Sequence, residues 1–245
     1  MSYAVRGLPR TAPQTGDLLI DLIIFDCDGV LVDSEVIAAR VTATMLGDLG
    51  LPISPEDVLT GLVGLDADAT RRRIETEHAI TLPADFDDRG HVRLAAAFRE
   101  ELQPMAGIVA LLGDLRFPYC VASNSGHQRL AQTFASAGLG PLVAGRVFSA
   151  EDVARGKPAP DLFFHAAQTM GVAPGRCLVI EDSLTGVTAA RAAGMRVIGF
   201  CGGGHIRPGH ASRLRALGAE AIVGDHASLA AILADLTHEP VRATG

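Results

Sequence analysis

Short apolar runs of strand length recur along this chain between longer segments with helical spacing, and this alternation narrows the fold more than any other feature. It argues for a parallel sheet covered by helices on both faces. The runs predict strands at Leu18–Phe25, Tyr119–Ala122, Arg146–Phe148, Cys177–Ile180, Val197–Phe200 and Ala221–Val223. The expected class is α/β, with a Rossmann-like, doubly wound parallel sheet as its core. In such sheets the ligand crevice lies outside the carboxyl ends of the strands, where loops converge, so function is sought there.

Between Asp33 and Pro104 the pattern is helical only. Apolar residues recur at Val36, Ala39, Ala43 and Leu46, Ser54-Pro55-Glu56-Asp57 signals a helix start, and a long segment runs from Asp85 to Leu102. About seventy residues without a strand predict an inserted all-helical domain, placed at 34–103. The α/β core is then discontinuous, 18–33 and 104–240, and residues 1–17 read as a flexible tail.

Composition excludes some partners. Asp and Glu number 28 against 21 Lys and Arg, a net charge of -7, and no Lys/Arg run offers a footprint for nucleic acid. The stretch from Leu18 to Phe25, broken by Asp21, is far below the ~18 residues a membrane span needs. No apolar signal-peptide region precedes it. Cys27, Cys120, Cys177 and Cys201 are far apart, form no C-x-x-C pair and lie in or beside apolar runs, which fits a reducing cytoplasm. A soluble cytoplasmic protein is expected.

Four elements carry chemistry. In Ile23-Ile24-Phe25-Asp26-Cys27-Asp28-Gly29-Val30-Leu31-Val32-Asp33-Ser34 an apolar strand runs straight into two carboxylates two residues apart. Where the chain bends out of the sheet at a glycine, both can face one site, one as nucleophile and the other as acid and base. The strand Tyr119–Ala122 ends in Ser123-Asn124-Ser125-Gly126, a hydroxyl and amide cluster at a helix entrance that suits an anion. Gly156-Lys157-Pro158-Ala159-Pro160-Asp161 fixes one lysine beside a proline-stiffened helix start. In Leu178-Val179-Ile180-Glu181-Asp182-Ser183 paired acids again end an apolar strand and suit a hard divalent cation.

Taken in order, these elements resemble the haloacid dehalogenase superfamily, from Leu18 to roughly Leu236, and the helical interval resembles that family's cap. The resemblance implies that Asp26 is a nucleophile toward phosphorus and that Asp28 protonates the leaving alcohol and later activates water. It implies that Ser123 binds phosphate with Asn124 as a neighbouring contact, and that Lys157 neutralises nucleophile and phosphate. It further implies Mg2+ held by Asp182, with Glu181, the Asp26 carboxylate and the Asp28 carbonyl.

Asp28 favours phosphatases and sugar phosphate mutases over dehalogenases and phosphonate hydrolases, which resemble the same fold without that acid. The chain is most similar to the subgroup of β-phosphoglucomutase-like and phosphoglycolate or phosphogluconate phosphatase-like proteins. The expected function is a magnesium-dependent phosphomonoesterase acting on a small phosphorylated metabolite, such as a sugar phosphate, through an aspartyl-phosphate intermediate. The alternatives are a β-phosphoglucomutase-like mutase and a non-catalytic regulatory protein on the same scaffold. The four intact elements argue against the second. Against the mutase, Gly61-Leu62-Val63-Gly64-Leu65-Asp66-Ala67-Asp68 carries two acids where the mutases resemble one another in a basic residue, and the helix from Glu35 to Leu49 has no histidine. Arg71 is the one residue nearby that a shifted alignment would bring over the site.

Other features have simpler readings. Cys201-Gly202-Gly203-Gly204-His205, with His210, reads either as a metal or phosphate loop or as a flexible loop at the crevice rim, the latter favoured by the loose Cys/His spacing. Arg71-Arg72-Arg73, followed by Glu75 and Glu77, reads as a solvated helix face, and Cys27 as a strand filler.

Overall fold

The structure, a computed structural model, describes residues 19–62 and 67–236. The expected tail, Leu18, the loop residue Asp66 and the last expected core residues, 237–240, lie outside the described residues. All six expected strands form: β1 (Leu22–Phe25), β2 (Tyr119–Ser123), β3 (Val147–Ser149), β4 (Cys177–Glu181), β5 (Arg196–Phe200) and β6 (Ala221–Val223). They make one parallel sheet in the order β3-β2-β1-β4-β5-β6. β1 thus lies beside β2 on one side and β4 on the other, and successive strands wind outward from it in both directions. That is the topological switch point where a crevice opens at the carboxyl ends.

β1 begins later than its apolar sequence predicts. Asp21 is turned into an ion pair with Arg176, and its N–H is bonded to the Arg176 carbonyl at 2.9 Å, outside the strand ladder. Within the strands, alternate residues feed two cores. Ile23, Phe25, Val121 and Ile180 belong to one, Leu22, Ile24, Ala122 and Val179 to the other. Both faces are covered, so the strands read as continuous apolar runs rather than alternating ones.

Between β1 and β2 the described residues hold only helices: α1 (Ser34–Asp48), α2 (Pro55–Gly61), α3 (Ala67–His78), α4 (Phe86–Glu101) and α5 (Ile108–Asp114). The Ser54 signal is realised as a reciprocal cap: Asp57 N–H donates to Ser54 Oγ at 3.2 Å, and Ser54 N–H to Asp57 Oδ2 at 2.8 Å. Met45, Leu46, Ile74, Leu82 and Phe86 form a core separate from the sheet's. Phe98 and Leu102, by contrast, join the sheet core and anchor the end of α4. The arginine run is only partly a solvated face. Arg73 pairs with Glu77 at 2.8 Å on the surface, whereas Arg71 reaches Asp87 of α4 at 2.8 Å and the carbonyls of Leu82 and Pro83.

The remaining helices are α6 (His127–Ser136), α7 (Gly140–Val143), α8 (Asp161–Thr169), α9 (Leu184–Ala192), α10 (His210–Ala216) and α11 (His226–Ala234). No helix among the described residues is long and apolar enough to cross a membrane. The cysteines are unpaired, with Cys27, Cys120 and Cys177 buried and Cys201 half-buried.

Candidate active site

The ends of β1, β2 and β4 and the loop after β3 converge on a cleft of about 1250 Å³ between the sheet and the inserted helices. Asp26, Asp28, Ser123, Asn124, Lys157, Glu181 and Asp182 all line it, so the residues singled out in four separate stretches meet in one place.

At its floor is Lys157. Its ammonium donates to Asp26 Oδ1 and Glu181 Oε1 at 2.7 Å each and to the Ala122 carbonyl at 2.8 Å. Asn124 sets this position: its Nδ2 donates to the Lys157 carbonyl at 2.9 Å and its Oδ1 accepts from the Lys157 N–H at 2.8 Å. The side chain read as a phosphate contact thus brackets the lysine backbone.

Glu181 is fully buried and committed on both oxygens. Oε1 meets Lys157, and Oε2 accepts from Ser183 N–H at 2.9 Å and Ser183 Oγ at 2.8 Å. Ser183 Oγ in turn accepts from Gly186 N–H at 2.9 Å, capping α9. Asp182 has a different partner, His205 Nε2, 3.0 Å from its Oδ2.

After Asp26 the chain turns sharply. Gly29 has φ +80°, and its N–H bonds the Val32 carbonyl at 2.8 Å. A side chain here would strike Asp182, since a Cβ would stand 1.8 Å from Oδ2. The turn thereby lets Asp26 and Asp28 face one cleft. Asp28 accepts from Ser34 Oγ at 2.5 Å and from Ser125 Oγ at 2.9 Å, and Arg129 of α6 lies 3.6 Å from its Oδ1. Ser123 is buried, its Oγ accepting from Ser125 N–H at 3.1 Å.

Charge is out of balance at this floor. Burial raises the Asp26 pKa well above the usual carboxylate range, and Glu181, Asp182 and Asp28 add to it while Lys157 opposes. Asp182 is likewise raised by burial, then by Glu181 and Glu35. Burial would lower Lys157, but Asp26 and Glu181 outweigh it and hold the ammonium firmly charged. One cation therefore serves three buried carboxylates, Asp26, Glu181 and Asp182, whose oxygens lie within 4.8 Å of one another. A hard divalent cation fits such an all-oxygen donor set. With Glu181 held by Lys157 and Ser183, Asp26 and Asp182 are the carboxylates with an oxygen to spare.

A family model described as haloacid dehalogenase-like hydrolase matches residues 20–194. The chain belongs to that family. The 6-phosphogluconate phosphatase of Escherichia coli is 34% identical over 190 residues, 77% of this chain and 86% of that protein. A conserved haloacid dehalogenase-like protein of unknown function from Agrobacterium tumefaciens superposes with a TM-score of 0.81 at 42% identity, covering 88% of this chain and 98% of that one. A haloacid dehalogenase family hydrolase from Deinococcus radiodurans, solved with bound phosphate and sodium, gives a TM-score of 0.80 at 36% identity, covering 91% and 100%.

The sequence assigns no role to Ser34, Ser125, Arg129 or Glu35, and places His205 in a loop at the crevice rim. Ser34 and Ser125 stand inside the quoted motifs. Arg129 carries no local signal, because helix packing alone brings it to the cleft, and His205 stands in a Gly-rich run whose fold back onto Asp182 is set by packing.

Proposed function

We propose that this phosphatase hydrolyses the phosphomonoester of a small metabolite, a sugar phosphate or a close relative, through a phosphorylated Asp26 and with Mg2+. The observation that carries this reading is the Lys157 ammonium, 2.7 Å from both Asp26 and Glu181, at the floor of a cleft whose wall holds Asp28. Phosphoryl transfer is helped mainly by positioning and positive charge, and this lysine supplies both to the attacking carboxylate.

Lys157 favours the ionised form of Asp26 against the effect of burial. An Asp26 carboxylate oxygen attacks phosphorus, the bond to the leaving oxygen breaks, and Asp28 gives that oxygen its proton. Asp28 then takes a proton from water, which attacks the phosphorus of phospho-Asp26, releasing phosphate and restoring the carboxylate. Ser123 donates to the transferring group, and Asn124 keeps Lys157 in register. Asp26 and Asp182, with Glu181 behind them, would hold the cation, which when bound supplies further positive charge to the phosphoryl oxygens.

Two observations support a small sugar-like substrate. The cleft exceeds what phosphate alone would fill, and Thr42, His91, Gln128, Arg129 and Gln132 give it a polar lining suited to hydroxyl groups. The 6-phosphogluconate phosphatase relative supports the same class. The inserted helices, acting as a cap over the cleft, would exclude bulk substrate and water.

The test is phosphate release from a panel of phosphorylated metabolites and from a folded phosphoprotein, with Mg2+ and after metal removal. Magnesium-dependent hydrolysis of a sugar phosphate, with far lower kcat/KM on the phosphoprotein, is expected. Equal rates on both, or hydrolysis indifferent to metal removal, would overturn the reading.

A further inference from the structure

The loop between β5 and α10 is the sequence feature that the proposed chemistry leaves unused, and His205 within it and His210 just after it both reach Asp182. His205 Nε2 lies 3.0 Å from Asp182 Oδ2, and both side chains are buried. Five residues on, His210 Nε2 meets the carbonyl of the same Asp182 at 2.5 Å. Side chain and backbone of one acid are thus held by two imidazoles, one in the loop and one at the first residue of α10.

The loop itself is braced. Gly204 N–H donates to Asp33 Oδ2 at 2.9 Å, at the start of α1. Arg207 donates to the Gly204 carbonyl at 2.8 Å and forks onto Glu56 of α2 at 2.6 and 2.7 Å. Two glycines make room for the imidazole. A Cβ at Gly29 would stand 2.8 Å from His205 Cε1, and one at Gly203 would stand 2.7 Å from Cε1 and Nδ1. His205 Nδ1 is buried without a hydrogen-bond partner among the described residues, so the contact with Asp182 is the imidazole's polar anchor.

We propose that His205 is a positioning residue for the metal site: its Nε2–H holds Asp182 Oδ2 and leaves Oδ1 as the oxygen for the cation. This rests on the metal reading above. Partners that orient a ligating carboxylate are worth about 10- to 100-fold in metal affinity, because a ligand free to rotate must be fixed when the ion binds. A histidine that merely fills space would leave affinity unchanged.

The experiment measures Mg2+ binding by calorimetry on metal-depleted protein without substrate, for the wild type, His205→Leu and His205→Gln. Leucine keeps bulk without a donor, and glutamine keeps an N–H donor. The proposal expects a loss of about tenfold or more for His205→Leu and recovery to within about threefold for His205→Gln. Wild-type affinity in His205→Leu overturns it, as does an equal loss in both variants, which marks a steric role. If the wild type itself binds no Mg2+, the metal reading falls and takes this proposal with it, a failure distinct from the other two. If His205→Leu does not fold, side-chain 15N spectra of the wild type decide. An Nε2–H tautomer whose resonance moves on adding Mg2+ supports the proposal, and an Nδ1–H tautomer, or a resonance indifferent to Mg2+, overturns it.

Discussion

Lys157 Nζ lies 2.7 Å from Asp26 Oδ1 with both side chains buried, although 131 residues separate them. Removing the lysine would leave the Asp26 and Glu181 carboxylates without their shared cation in a medium that solvates them poorly. Breaking a buried pair by deleting one partner costs about 3–5 kcal/mol. Lys157→Met is therefore expected to lose turnover when assayed with Mg2+, and to unfold at clearly lower urea than the wild type when the two proteins are compared in EDTA. An unchanged urea midpoint would show that the pair contributes nothing to stability.

Asp26→Asn keeps the shape of the side chain and an oxygen that Lys157 can still approach, but removes the proposed nucleophile. Turnover is expected below about 1% of wild type, with the circular dichroism spectrum unchanged. Acid-quenched wild-type enzyme should carry phosphate on Asp26, detectable by mass spectrometry, and the variant none. Residual activity of several per cent, or an equally phosphorylated variant, would place the nucleophile elsewhere.

Metal addition should be visible without substrate. A ligand that binds the folded state alone at 100 times its Kd stabilises it by about 2.7 kcal/mol. Metal-depleted protein is thus expected to gain several degrees in Tm on adding Mg2+, and the gain should vanish in Asp182→Asn. A Tm indifferent to Mg2+ would separate the acidic cluster from metal binding.

The sequence showed the floor of this site because strand ends are locally legible. An apolar strand followed at once by Asp26, Ser123 or Glu181 reveals both its direction and the loop that must face the crevice. The six strands were legible for the same reason, and β1 fell short only where Asp21 found Arg176, a partner 155 residues away. Contacts set by packing left no such trace. Asn124 has the composition of a phosphate ligand, yet its amide is directed at the Lys157 backbone, 33 residues on. His205 looked like a rim residue because nothing near it in sequence reveals that its loop folds back onto Asp182. Arg71 looked solvated beside Glu75, but the turn before α4 supplies it with two carbonyls and α4 itself with Asp87.

His226 gives a pH dependence away from the cleft. It is buried at the start of α11 with its ring 4.6 Å from Phe200, and burial lowers its pKa against smaller opposing effects of backbone hydrogen bonding and Asp225. The folded protein therefore resists protonating it, while the unfolded chain protonates it near 6.5. Its contribution is complete above about pH 6.5 and is lost as pH falls from there toward the lower folded value. The raised Asp26, Asp182 and Glu35 carboxylates act in the opposite sense, so a difference isolates the histidine. Between about pH 7.5 and 5.5 the urea midpoint should fall further, or rise less, in the wild type than in His226→Phe. Parallel profiles would contradict this.

The final prediction separates hydrolysis from phosphoryl return to the substrate. A mutase must hold a bisphosphorylated sugar and let it reorient, so its inserted helices need a cation for the distal phosphate. Arg71 was the candidate, and it is committed elsewhere: Nε and Nη2 meet Asp87 Oδ2 at 3.2 and 2.8 Å, and Nη1 and Nη2 meet the Leu82 and Pro83 carbonyls at 3.2 Å each. Freeing it would break the ion pair between α3 and Asp87 of α4. Arg129 does line the cleft, but it lies on the sheet side, stacked 5.6 Å over Phe98 and 3.6 Å from Asp28. Asp68 adds an exposed acid at the start of α3. A second phosphate would therefore find Arg71 already committed to Asp87 and two carbonyls, and water is the expected acceptor. The enzyme is to be incubated with β-glucose 1-phosphate, Mg2+ and a trace of the 1,6-bisphosphate, following glucose 6-phosphate and free phosphate together. Phosphate release without net isomerisation is expected. Rapid accumulation of glucose 6-phosphate with little phosphate would mean that the inserted helices retain the bisphosphate after all. Arg129→Ala would then show whether the sheet side supplies the missing cation.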